Sequence, residues 1–151
     1  MISQHIAGAA IGIFLIGGLI GVPLTDRQPA AEVLSMVILN PSVRPGDMLR
    51  TEIIVDRKRV CDTEVTRTIY DGANIEIRFL PDERQTFGPL GIDRRVVEVQ
   101  VPASAKPGLA RYRVTSTFRC NVLHRVWPIT IAYDDIPFTI EAGESKLDGQ
   151  P

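Results

Sequence analysis

ARYRVTSTFRC, residues 110–120, sets Ala110, Tyr112, Val114, Ser116, Phe118 and Cys120 against Arg111, Arg113, Thr115, Thr117 and Arg119. Successive side chains of a β-strand point to opposite faces, so a period of two held this long predicts a strand with one face on a core. The same alternation recurs upstream. Leu49, Thr51, Ile53 and Val55 share a face in Met48–Asp56, Ile75, Ile77 and Phe79 share one in Asn74–Leu80, and Val97, Val99 and Val101 share one in Arg95–Val101. Val33–Leu39 is apolar and stops at Asn40-Pro41, and Val60–Tyr70 is rich in Thr and Val and stops at Asp71-Gly72. Downstream, Ile129–Tyr133 and Ile136–Ile140 read as one bent strand or two short ones. Seven or eight short strands over about 110 residues, with no helical period of comparable strength after residue 30, predict an all-β chain folded as an antiparallel two-sheet sandwich.

Pro45-Gly46-Asp47 forms a turn into the second strand, and Pro102–Gly108 (PASAKPG) forms one into the long strand. With these turns the pattern from Glu32 to Glu141 resembles an immunoglobulin-like or fibronectin-like β-sandwich. The resemblance implies a non-enzymatic module that works by contact. Phe118 stands where antibody-type domains carry Tyr before the second Cys, and Trp127 follows that Cys instead of preceding it, which excludes the antibody type.

The N-terminus is of another kind. Residues 6–24, IAGAAIGIFLIGGLIGVPL, carry no charge. A helix of this length rises ~28 Å, close to the hydrocarbon thickness of a bilayer, so one transmembrane helix is expected ahead of the sandwich. A cleaved secretory signal is the rival; MISQH lacks the positive n-region it needs, and Val22-Pro23-Leu24-Thr25 lacks a small-x-small site. Gly8 with Gly12, and Gly17 with Gly21, form two G-x-x-x-G pairs on opposite helix faces, where helices could pack as a homo-oligomer. The expected organisation is therefore an anchor and linker over 1–30, a sandwich over 31–142 and a disordered tail over 143–151.

Composition narrows function. The net charge is −1, the sequence pI about 6.1, and the arginines are interleaved with acids, so a nucleic-acid face is not expected and the arginines read as a solvated surface. There is no G-x-S-x-G, phosphate-cradling loop or H-E-x-x-H. Two His and two Cys are too scattered for zinc, and Asp134-Asp135 reads as turn acids, so no metal and no cofactor are expected. Cys120 and His124 are close in sequence, but an inward thiol is a poor nucleophile. An enzyme is not expected.

Cys61 and Cys120 are the only cysteines. Their separation suits an inter-strand clasp, which would place the domain in the periplasm or outside the cell; two buried free thiols are the alternative. For recognition, the loop Asn121–Pro128 (NVLHRVWP) offers His124, Arg125 and Trp127, with Trp127 either an exposed anchor or a cap on the core. The long loop Pro81–Ile92 adds Phe87. The expected function is a membrane-anchored interaction module with an unknown protein partner. The alternative is a structural subunit of a virion or envelope complex whose apolar N-terminus packs against other subunits.

Overall fold

The computed structural model describes residues 26–85 and 90–142. In chain order the strands are β1 (Ala31–Ile38), β2 (Ser42–Val43), β3 (Met48–Arg57), β4 (Asp62–Tyr70), β5 (Glu76–Arg78), β6 (Asp82–Gln85), β7 (Gly91–Gln100), β8 (Gly108–Arg119), β9 (Ile129–Ala132) and β10 (Ile136–Ile140). One helical turn, α1 (Leu123–Val126), separates β8 from β9. Strands β1, β3 and β7 form an antiparallel three-stranded sheet in that order. The second sheet runs β2-β10-β8-β4-β5, with β6 also on β4 and β9 also on β8. The expected all-β, two-sheet arrangement is what the chain adopts.

Alternation explains which residues lie between the sheets. Leu49, Thr51, Ile53 and Val55 of β3 face Ala110, Tyr112, Val114, Ser116 and Phe118 of β8, all buried. Val99 and Val101, Ile69, Phe138 and Ile140 close the larger part of the core. Ala30, Ala31, Cys61, Phe118 and Ile129 close the end near the disulfide. Each fully buried aliphatic or aromatic side chain contributes about 1.5–3 kcal/mol, so the inward faces carry most of the stability.

The same parity buries charge. Arg57 ends the inward row of β3, Arg67 lies on the inward row of β4 between Val65 and Ile69, and Arg95 shares a face with Val97 and Val99. Arg67 is 8% exposed and sits 3.7 Å from the Asp82 carboxylate, while Arg57 donates to Asp93 at 2.6 Å. These three depart from the expected solvated arginine surface, to which Arg44, Arg50, Arg78, Arg94 and Arg125 do belong. The aliphatic stems of the three line inter-sheet space, and the heads of Arg67 and Arg57 meet acids supplied by β6 and β7.

Turns set the register. Asp47 N–H donates to Arg44 O at 3.0 Å, and Gly46 has φ +96°, as the third residue of a type II turn requires. At the other end Asp71 is buried, and its carboxylate accepts from the amides of Ala73, Ile75 and Lys106 at 2.9–3.0 Å. Burial opposes its charge, yet the three amide donors hold its carboxyl below the ordinary aspartate range. Gly72 packs against the 106–108 backbone so closely that a Cβ would stand 2.1 Å from Pro107 O.

Of the two readings of 129–140, the chain adopts two short strands: β9 and β10 lie along the same edge of β8, pairing with 115–118 and 108–112 respectively. The supposed loop Pro81–Ile92 contains β6 and the start of β7. Among the described residues no helix is long and apolar enough to cross a membrane. The apolar segment 6–24 with Gly8, Gly12, Gly17 and Gly21, the tail from residue 143, and Phe87 lie outside the described residues.

Candidate functional site

Cys61 and Cys120 form a disulfide, their Cα atoms 4.5 Å apart. Asp62 pairs with Arg119, so the bond joins neighbouring strands β4 and β8 of one sheet. The antibody-type bond instead crosses between sheets. With its sulfur oxidised, Cys120 has no thiolate to offer His124, and the Cys–His pair cannot act as a nucleophilic dyad.

Beyond Cys120 the chain makes a compact turn. Asn121 Oδ1 accepts from His124 N–H at 3.0 Å, and Trp127 N–H donates to Leu123 O at 2.9 Å, which closes α1. Val122 and Val126 are four residues apart and share one face of this turn; His124 lies on the opposite side. Val122 is 80% exposed, Val126 87% and Trp127 58%, whereas His124 is 0% exposed. The structure therefore separates the residues that the sequence grouped. Arg125 and Trp127 are surface groups, and His124 cannot touch a partner because burial withdraws it. Nor does Trp127 cap the core, since the turn before Pro128 carries the indole outward.

His124 fastens three pieces of chain. Its Nδ1 accepts from Cys120 N–H at 3.3 Å, which leaves Nε2 to donate to Asp26 O at 2.8 Å. That pattern selects the Nε2–H tautomer. Asp26 in turn accepts from Arg59 at 2.6 Å, and this contact holds the Asp26 carboxyl below its usual range. Arg59 also donates to Gln28 O. Arg27 stacks on the Trp127 ring, 4.4 Å from its centroid, and donates to Trp127 O at 3.1 Å. Residues 26–28, which sequence alone reads as a polar linker, are thus bound to the end of the sandwich. A shallow cleft lined by Val60, Asp62, Arg119, Asn121, Val122 and Arg125 runs beside the Cys61–Cys120 disulfide. Val60 is itself 63% exposed. The resulting surface sets exposed Val60, Val122, Val126 and Trp127 beside the polar groups Asp62, Asn121 and Arg125, next to residues 26–28.

Other regions complete the inventory. An inter-sheet cavity of about 130 Å³ is lined by Met36, Arg57, Thr63, Arg67, Ser116 and Phe118, among others. Sequence reasoning missed these arginines, although their parity with buried neighbours carried the signal. Asp135 binds Arg113 at 2.6 and 2.8 Å and Arg111 at 3.3 Å, so its carboxylate is engaged by guanidinium groups. Arg113, by its hydrogen bond, and then Arg111 hold that carboxyl below the usual range. No group of three or more His, Cys, Asp or Glu able to hold a metal occurs among the described residues. On the outer face of the three-stranded sheet, Val37, Met48 and Val96 are about half exposed beside the Arg50–Glu98 ion pair.

No family model matches the chain. No curated protein matches it. Among solved structures it is similar to the sporulation control protein Spo0M from Bacillus subtilis, at 14% identity and a TM-score of 0.37. That similarity covers 77% of this chain and spans about half, 51%, of the Spo0M chain.

Proposed function

We propose that this chain is a membrane-anchored, non-enzymatic β-sandwich module facing the periplasm or cell exterior, acting by protein contact. The observation that carries the proposal is the fastening of residues 26–28 to the disulfide end. It fixes residue 26, two positions after the uncharged run 6–24, at the disulfide end of the sandwich, which supports a module tethered at that end. The uncharged run 6–24 supplies the anchor, and the Cys61–Cys120 bond suits an oxidising compartment. The outer face of the three-stranded sheet, with Val37, Met48 and Val96 set among ion pairs, suits a protein partner. The engagement of Cys120 in a disulfide and the burial of His124 support a role other than catalysis.

Fractionation tests the proposal. Full-length chain is expected to pellet with membranes and to be released as a small species by mild detergent. Recovery in a large, detergent-resistant particle favours the structural-subunit reading, in which 6–24 packs against other subunits. Recovery as a soluble monomer without detergent contradicts both.

A further inference from the structure

Resting on the anchored reading above, we propose that Val60, Val122, Val126 and Trp127 dock onto the surface of the same lipid bilayer that residues 6–24 enter, with Arg125 on phospholipid phosphates. Position is the first argument. A helix over 6–24 rises ~28 Å, so if one end lies at one edge of the hydrocarbon core, Leu24 lies near the other. Thr25 alone separates Leu24 from Asp26, whose carbonyl is 2.8 Å from His124 Nε2. At ~3.5 Å per residue the turn cannot stand more than roughly 10 Å from the end of the hydrocarbon segment. The headgroup layer is itself about 6 Å deep on each side. No folded protein fits in the gap that remains, so the occupant of this surface is the headgroup layer.

Chemistry is the second argument. The exposed groups at this end include three valines, the only tryptophan of the chain, Arg125 and Arg27, with one exposed acid, Asp62, on the wall of the cleft. Indole prefers the membrane–water interface, where its ring is desolvated and its N–H stays wet. Arg125, one residue before Val126, can bury its methylene stem while its head reaches phosphate. Arg27, stacked on the indole, adds a second guanidinium at the same level. The buried His124 and the disulfide make the base of this surface rigid, so docking orders little additional chain.

The single tryptophan is its own probe. Full-length chain is reconstituted into phosphatidylcholine–phosphatidylglycerol vesicles made with plain or brominated acyl chains, and flotation and Trp127 emission are measured together. An indole seated ~5–10 Å into the boundary should lose roughly half or more of its emission to brominated chains. Val122→Asp with Val126→Asp, both at exposed positions, should restore emission while flotation is unchanged. Flotation with emission indifferent to bromine in the wild-type chain overturns the docking and leaves the anchor standing. Failure to float overturns the anchor and the docking with it. Emission shielded from acrylamide in proportion to protein density but indifferent to bromine assigns the surface to a second copy, which also overturns the proposal.

Discussion

Three residues show how local chemistry holds the ends of the sandwich. Gly72 leaves no room for a methyl group, because Pro107 O would lie 2.1 Å from its Cβ. Gly72→Ala must push the 106–108 loop away from Asp71, and an apparent loss of about 1–3 kcal/mol in urea unfolding is expected. Asp71→Asn should destabilise by a similar ~1–3 kcal/mol at neutral pH, since it replaces a charged acceptor of three amides. Its pH dependence has a definite sign. The folded carboxyl titrates below its unfolded value, so its stabilisation is complete above the ordinary aspartate range and disappears as pH falls through the folded pKa. The gap between wild type and Asp71→Asn should therefore narrow on acidification below about pH 4; a gap independent of pH contradicts the assignment. Trp127→Ala, by contrast, removes a half-exposed ring stacked on Arg27. Thermal unfolding should register no more than about 1 kcal/mol, the scale of an exposed cation–π contact. A loss of several kcal/mol would mean that the indole belongs to the core.

Elements were legible where one periodicity ran unbroken. The stretch 110–120 and the stretch 48–56 alternate without interruption, and β8 and β3 cover them with the buried faces where alternation puts them. The turns at Pro45-Gly46-Asp47 and Asp71-Gly72 announced themselves because few residues other than glycine satisfy their geometry. Sequence failed where tertiary pairing decides. Strand β6 forms because Asp82–Gln85 completes an edge on β4, and nothing in Asp-Glu-Arg-Gln favours a strand by itself. The burial of Arg57, Arg67 and Arg95 was hidden by treating arginine as a surface residue, although their parity matched Val55, Val65 and Val97. His124 and Trp127, grouped by sequence proximity, part company because His124 lies within the helical turn and is buried, while the backbone leaves the helix at Trp127 and exposes the indole. The disulfide belongs to this scale also. It closes a loop spanning 59 residues across β4 and β8. The chain-entropy relation gives about 4 kcal/mol for such a loop, so reduction should lower the urea midpoint, and the slope should rise as the reduced denatured chain expands. An unchanged midpoint would show that the β4–β8 ladder alone holds this end.

At the scale of the whole molecule, residues 26–28 link the uncharged run 6–24 to the sandwich. The two-sheet fold follows from alternation and is observed, whereas the anchoring and the compartment are proposals drawn from the apolar run 6–24 and the oxidised cysteines. The measurement that tests them together is denaturation of the full-length chain recovered from its membrane fraction, without reductant and in the presence of an alkylating agent, followed by intact-mass analysis. The account predicts that the chain is recovered in the membrane fraction and carries no alkyl adduct, because Cys61 and Cys120 are bonded to each other. Recovery in the soluble fraction, or alkylation of both cysteines, would contradict it.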